Sequence, residues 1–472
     1  MANLGLMDIR YPTDYQLSDI NLISPMQGGK IPLMGLLVEL NLFEDIYSSS
    51  ITGQIVLSDA LGIVSNFLMN GSEFVELTLR KFNDDELPIK RNFRVYKIAD
   101  RVMGDSTNYE IYTLNICSEE FLISEQYRIS KSFKGQKISD IVTSIMVDYL
   151  KVGLKNTKQI YIEPTTGLYD FILPNKKIFE TVNWLATYAQ PDSKNPGADF
   201  VFYENSLGYF FNSLQTLYKQ DPWQTFKYDP KNISTKGISN DLQEQITNVM
   251  SFEVLNFFDV LGGITDGTFN NRVISIDPVT RKKTVTDFNY NDFFARSESL
   301  NKAALINNYK DRVGKKMYEA PPKDLQAGTL RLVTSNSQQK KNAWVSQKPD
   351  AVANDIFIEK YMPNRVSQLG QINYTRLKIT VPGSPQLMVG KTINFMTFGI
   401  SPDSFSRPDE STERKPDPLY SGKYLITAVR HVVKKDNTYI TVMEICSDSG
   451  SVAYPTFDGS NAELQNYVKG VQ

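Results

Sequence analysis

The chain has 472 residues, with 51 Lys and Arg against 53 Asp and Glu, a net charge of -2 and 41% hydrophobic residues. That composition excludes a disordered, collagen-like or fibrous chain, and its near-neutral charge speaks against a protein whose main task is to coat nucleic acid. One His (His431) and two Cys (Cys117, Cys446) exclude a zinc site of the usual His/Cys kind and a disulfide scaffold. The opening MANLGLMDIR has no basic region followed by an apolar stretch, so no secretory signal is expected. The longest apolar stretch, 31–40, is too short to span a bilayer, and no membrane insertion is expected.

The first segment reads as β structure. Residues 51–57, 74–79, 93–99 and 109–117 alternate or are rich in β-branched residues, with turn signals between them. Helical spacing then appears at 137–150, on Ile138, Ile141, Val142, Ile145, Met146 and Tyr149. A second helix is expected at 176–189, with Asn175 as its N-cap. Residues 199–212 read as an aromatic hairpin turning at Asn205-Ser206.

Further on, a short helix is expected at 241–249 and strands at 252–258, 272–276 and 284–290. Residues 297–318 read as a polar helix, 321–350 as a long exposed linker, and 351–370 as a helix pair broken at Pro363. From Leu377 to Cys446 β texture returns, interrupted by the polar excursion 401–418, and the tail after 450 reads as weakly ordered.

The two ends of the chain repeat one another. IYTLNICS (111–118) aligns with ITVMEICS (440–447), so both cysteines hold the same place in the same strand. FRVYKIADRV (93–102) aligns with YLITAVRHVV (424–433), and LMNGSEFVEL (68–77) with LMVGKTINFM (387–396), pairing Gly71 with Gly390. Three collinear matches indicate a duplicated antiparallel barrel with an α+β insertion between the copies.

Nothing in the chain assembles into a reactive constellation. Gly390-Lys391-Thr392 lacks the first glycine of a phosphate loop, where Pro385 stands, and precedes a strand instead of a helix. His431 falls in a strand with no second His to complete a relay, and the cysteines lie in apolar strands as inert thiols. Glu163, Asp170, Asp192 and Asp199 are read as solvated surface carboxylates, although a glycosidase-like pair is the competing possibility. The basic clusters 281–283, 340–341 and 434–435 are read as solvated loop tips. No catalytic, cofactor-binding or metal-binding residue is assigned, and no cofactor is expected.

The run LKITVPGSPQLMVGKTINF, the later SGKYLITAVRHVVKKDNTYITVMEICSDS and the early YSSSITGQIVLSDALGIVSNFLMNGSEFVELTL resemble baseplate central hub proteins of contractile-tailed bacteriophages. FILPNKKIFETVNWLATYAQ (171–190) is similar to the middle domain of that family, and 251–277 to its following segment. The resemblance implies two tail-tube-like barrels with an α+β insertion and helical connections. The expected division is a first barrel at 1–120, an α+β domain at 121–215, an extension with a polar linker at 216–350, a second barrel at 351–450 and a tail at 451–472. The resemblance further implies a non-enzymatic homotrimer whose six barrels adapt a six-fold tail tube to a three-fold central spike. The implied partners are tail tube proteins, the central spike protein, neighbouring baseplate wedge proteins and a tape-measure protein in the lumen, without stable nucleic-acid binding. The implied location is the virion tail baseplate, with assembly in the host cytoplasm. A glycan-binding or cell-wall-cleaving tail protein, and the hub of a bacterial contractile injection machine, are the alternatives.

Overall fold

The computed structural model describes residues 15–25, 29–66, 69–81, 89–104, 109–154, 158–192, 197–229, 246–276, 281–305, 330–334, 358–398, 416–436 and 438–450. The N-terminal part is built from β1 (Tyr15–Ser24), β2 (Gly29–Pro32), β3 (Leu37–Asp45), β4 (Thr52–Asp59), β5 (Phe74–Lys81), β6 (Ile89–Met103) and β7 (Glu110–Ser118). The period of two that marks these segments as strands also builds the core. Val75, Leu77 and Leu79 of β5 all face inward, fully buried against Ile55 and Leu57 of β4 and Leu114 and Ile116 of β7.

The insertion follows, with β8 (Arg128–Ile129), β9 (Ser132–Gln136), β10 (Gln159–Ile162), β11 (Tyr169–Ile172), β12 (Lys176–Lys177), β13 (Phe200–Asn205) and β14 (Gly208–Ser213). Its helix Ile138–Leu150 buries the expected stripe, except that Tyr149 is exposed and Leu150 takes the inward place. The next helix is Ile178–Ala186, and Lys177, not Asn175, holds its N-cap position without a side-chain cap. Asn175 instead sits in a left-handed turn, because Lys176 and Lys177 are drawn into pairing with β8. The 199–212 hairpin forms as β13 and β14, with its turn at Ser206-Leu207, one residue later than expected, because Asn205 still pairs with Gly208.

The remaining strands are β15 (Thr225–Tyr228), β16 (Ser251–Phe257), β17 (Asn270–Ile276), β18 (Lys283–Asn289), β19 (Leu330–Thr334), β20 (Thr375–Pro382), β21 (Thr392–Thr397), β22 (Gly422–Lys434) and β23 (Tyr439–Ser447). Three expectations are corrected here. Residues 297–305 form no helix: Ala303 bridges Gly450, and the Asn301 amide donates to the Lys423 and Ser449 carbonyls. The expected linker contains β19, which pairs in parallel with β17. Residues 358–371 form one helix with Pro363 inside it, held by Ser367 Oγ donating to the Thr268 carbonyl and by Arg365 donating to the Ala198 carbonyl. The expected helix at 241–249 is described only from 246, where Asn248 bridges Lys227, and most of 306–357, 399–415 and the tail after 450 lie outside the described residues.

One thirteen-stranded sheet contains both ends of the chain, in the order β16-β20-β23-β22-β3-β4-β7-β6-β5-β1-β2, with β21 beside β22 and β15 beside β21. The N-terminal unit runs β3-β4-β7-β6-β5-β1, and the C-terminal unit runs β16-β20-β23-β22-β21-β15. The order of neighbours is the same in both, although the outermost strand differs in direction: β1 runs antiparallel to β5, whereas β15 runs parallel to β21. The register is also the same: Cys117 stands opposite Arg94 of β6, and Cys446 opposite Leu425 of β22, the aligned residue. A bulge interrupts the first pairing between Val95 and Lys97, and the second between Ile426 and Ala428, again at aligned places. Cross-strand register and a shared bulge are independent of residue type, so they support duplication more strongly than the sequence match does.

The third sequence segment slips by one residue. Phe74 lies opposite Arg94 and Thr392 opposite Leu425, so Phe74 matches Thr392, where the ungapped alignment pairs it with Ile393. The corrected match places buried Val75 and Leu77 on buried Ile393 and Phe395. Gly71 and Gly390 both remain in the left-handed region, at φ +91 and +85. A Cβ at Gly71 meets nothing closer than 3.9 Å, whereas one at Gly390 falls 2.1 Å from the Tyr203 hydroxyl. Gly71→Ala is therefore expected to cost about 1–2 kcal/mol of backbone strain. Gly390→Ala should cost clearly more, and urea denaturation of the two variants checks the ranking.

Candidate assembly interface

The residues that chemistry would require are dispersed. His431 is buried in β22, where its Nδ1 shares a 2.9 Å hydrogen bond with the Tyr439 hydroxyl. Burial lowers this imidazole to about 4, against a smaller opposing effect of a backbone hydrogen bond at Leu387. Both cysteines are free and buried, and burial raises Cys117 to about 12 and Cys446 to about 11, which leaves them as inert thiols. Lys391 donates to the Gln386 carbonyl at 2.9 Å and lies 5.2 Å from the Trp223 ring centre, in a turn that leads into β21.

The four carboxylates each accept a hydrogen bond from a different element. Glu163 takes the Ser213 N–H, Asp170 the Gly135 N–H, Asp192 faces Lys137, and Asp199 takes the Gln368 amide. Asp199 departs from the surface reading, since it is fully buried and burial raises it to about 7. Among the described residues, no group of three His, Cys, Asp or Glu is placed to hold a metal ion, and no helix is long and apolar enough to cross a membrane.

The main feature outside these groups is the join between the two units. The far half of β22 pairs antiparallel with β3, from Ala428 opposite Asp45 to Lys434 opposite Glu39. Arg430 donates to the Asn41 side-chain oxygen at 2.9 Å, and its guanidinium lies 3.5 Å from Glu39 and over the Phe43 ring. The cores interlock across this line. Val433 and Tyr439 belong to the N-terminal core, while Ile46 belongs to the C-terminal one.

The insertion locks the join from one side. At the β13–β14 turn, the Asn205 amide donates to the Val389 carbonyl at 3.2 Å, and Arg91 donates to the Ser206 carbonyl at 2.5 Å. Glu204 is buried, takes the Ile51 N–H at 2.9 Å and pairs with Lys158 at 2.6 Å. Lys158 also reaches Glu120 at 2.5 Å. A buried carboxylate with both a cation and an N–H donor is the arrangement that offsets its desolvation.

Glu44 occupies the centre of this lock, taking the Val389 N–H at 3.1 Å with its side chain buried. Burial raises it to about 8, with nearby Glu204 adding to the rise and the Val389 hydrogen bond opposing it. Sequence reading did not single out Glu44. It stands in an acidic-apolar alternation that resembles an ordinary half-exposed strand, and its burial depends on residues more than three hundred positions away.

Two strand edges outside the join carry exposed apolar residues. Around β16 these are Met250, Val254, Leu255, Phe258 and Leu261, the last 77% exposed. Along the end of β6 and the start of β7 they are Val102, Met103, Tyr109 and Ile111. Among the described residues, no strand pairs with the free side of β16 or with the outer edge of β6 that carries Val102 and Met103; such apolar edges are suited to pairing with a further strand.

No protein-family model matches the chain. A probable baseplate hub protein of Vibrio phage KVP40 is 20% identical over 458 residues, which cover 92% of this chain and 97% of that protein. Among solved structures, a 43 kDa tail protein of prophage MuSo2 from Shewanella oneidensis matches with a TM-score of 0.50 at 9% identity, over 92% of this chain and 99% of that one. A tail protein from Neisseria meningitidis gives a TM-score of 0.49 at 10% identity, with the same coverage. The resemblance to baseplate hub proteins read from the sequence is thus borne out by a relative spanning nearly the whole chain, and the Shewanella protein shares the fold.

The sign of the Glu44 effect is fixed by its raised value. Between the ordinary 4.5 and about 8 the folded chain keeps a proton that the unfolded chain releases, so stability falls as pH rises through that window. Glu44→Gln keeps a neutral acceptor for Val389. Relative to the parent chain, it should gain stability on the order of 1–3 kcal/mol by pH 9 and little at pH 4.5. Denaturation midpoints of both proteins across pH 4.5–9 measure the difference.

Proposed function

We propose that this chain is a structural baseplate hub subunit of a contractile phage tail. Its homotrimer presents six barrel units in a ring, matching the six-fold tail tube on one face and leaving three-fold symmetry for the central spike on the other. The observation that carries this reading is the repeated neighbour order, register and bulge of the two units within one chain. A ring of six equivalent positions needs only three such chains. The likeness to a probable baseplate hub protein supports the same assignment.

The work of the subunit is mechanical. Tail tube proteins, the spike, neighbouring wedge proteins and a tape-measure protein in the lumen are the proposed partners, in the virion baseplate after assembly in the host cytoplasm. The near-neutral charge of -2 suits a lumen wall past which nucleic acid slides. No covalent chemistry is assigned to any side chain. The glycan-binding alternative loses its main support, because Phe200, Phe202, Tyr209 and Phe211 of the aromatic hairpin are buried in the insertion's core. They have no ring face to offer a sugar.

Native mass spectrometry of the purified full chain is expected to give a species of three times the 53.6 kDa chain mass. The same preparation is expected to release no soluble fragments from purified murein. A stable dimer, or turnover of murein, would count against the proposal.

A further inference from the structure

The duplicated topology leaves one strand edge of each unit in unequal circumstances. In the C-terminal unit, β22 first pairs with β21 and then, along the same edge, with β3 of the other unit. In the N-terminal unit, β6 first pairs with β5 from Ile89 to Arg94. Beyond that point, no described strand is paired with the same edge of β6 from Lys97 to Met103. The counterpart of β3 is β16, which pairs with β20 on one side and, among the described residues, forms the end of the sheet on the other.

We propose that β16 of one protomer pairs antiparallel with the Lys97–Met103 edge of β6 in the next, repeating between chains the join that β3 and β22 make within one. This rests on the hub reading and names the surface through which that trimer closes. The internal join supplies the register. Phe43 and Asn256 hold equivalent places, since each lies opposite an equivalent residue, Thr52 and Arg376, that itself faces a cysteine. Transferring the pairs of the internal join puts Ile98 opposite Phe257, Ala99 opposite Asn256, Val102 opposite Glu253 and Met103 opposite Phe252.

Two further observations favour this occupant. The apolar side chains that the internal join buries, Leu42 of β3 and Val432 and Val433 of β22, have exposed counterparts in Val254, Val102 and Met103. Val102 and Met103 are 62% and 66% exposed. The transferred register also sets two irregularities against each other. β6 departs from its ladder between Ala99 and Val102, with Asp100 in the left-handed region, and β16 departs between Val254 and Asn256. An extra residue on both strands at one level keeps the remaining pairs in step. Because the two edges differ, the contact is head-to-tail, and three chains close it with alternating internal and external joins.

Val102→Cys combined with Glu253→Cys tests the register, because both side chains are exposed and the native cysteines are buried. Opposed strand residues lie within disulfide reach. Mild oxidation of the full chain should convert most of the protein to covalent dimers and trimers. Either single variant, or Ile172→Cys with Glu253→Cys, should give none. In a second measurement, Val102→Asp should weaken trimer several-fold by facing Glu253, and adding Glu253→Lys should restore it. A trimer by mass that neither crosslinks nor responds to the charge pair overturns this interface and leaves the hub reading standing. A monomer at every concentration overturns both.

Discussion

The pairing of β22 with β3 is the constraint on which the rest of the molecule depends. It turns two β units from opposite ends of the chain into one sheet, and residues from each unit complete the core of the other. A backbone ladder suits this task because it fixes angle and spacing without requiring particular side chains. Side chains then make the join specific. Arg430 binds Asn41 and Glu39 across it, and the β13–β14 turn is held between Arg91 of one unit and Val389 of the other.

The insertion thereby acquires a structural reason for its place in the chain. It leaves the first unit after β7 and reaches back to the join with Glu204 and Asn205 before the second unit begins. The close approach at Gly390, where the Tyr203 hydroxyl occupies the space of a side chain, belongs to the same seam. Burying Glu44 and Glu204 there costs stability that a purely apolar seam would not. In return, each hydrogen bond accepts only one register of the two units.

Much of this was legible in the sequence where a local period carried it. The strands β4 to β7, the hairpin at 200–213, the helix at 138–150 and the duplicated cysteine strands follow from alternation, helical spacing and self-similarity. What could not be read depends on distant partners. β19 is a five-residue run inside an otherwise polar stretch, too short to stand out by its period, and it completes a sheet by pairing with β17. Residues 297–305 have a helical composition but are fixed by Gly450 and Lys423. The one-residue slip near Gly71 is invisible when short apolar segments are aligned, and becomes plain when burial alternates out of phase. Glu44 looks like any strand carboxylate until Val389 arrives from the other unit.

In the proposed assembly the two units are equivalent building blocks of a ring. Electron microscopy of the purified full chain, with class averages taken down the particle axis, tests it most directly. A closed ring of six similar lobes about a central opening is expected, with three-fold symmetry that becomes nearly six-fold at low resolution. A particle with two-fold symmetry, or a ring whose three lobes each contain one undivided chain without the internal repeat, would contradict it.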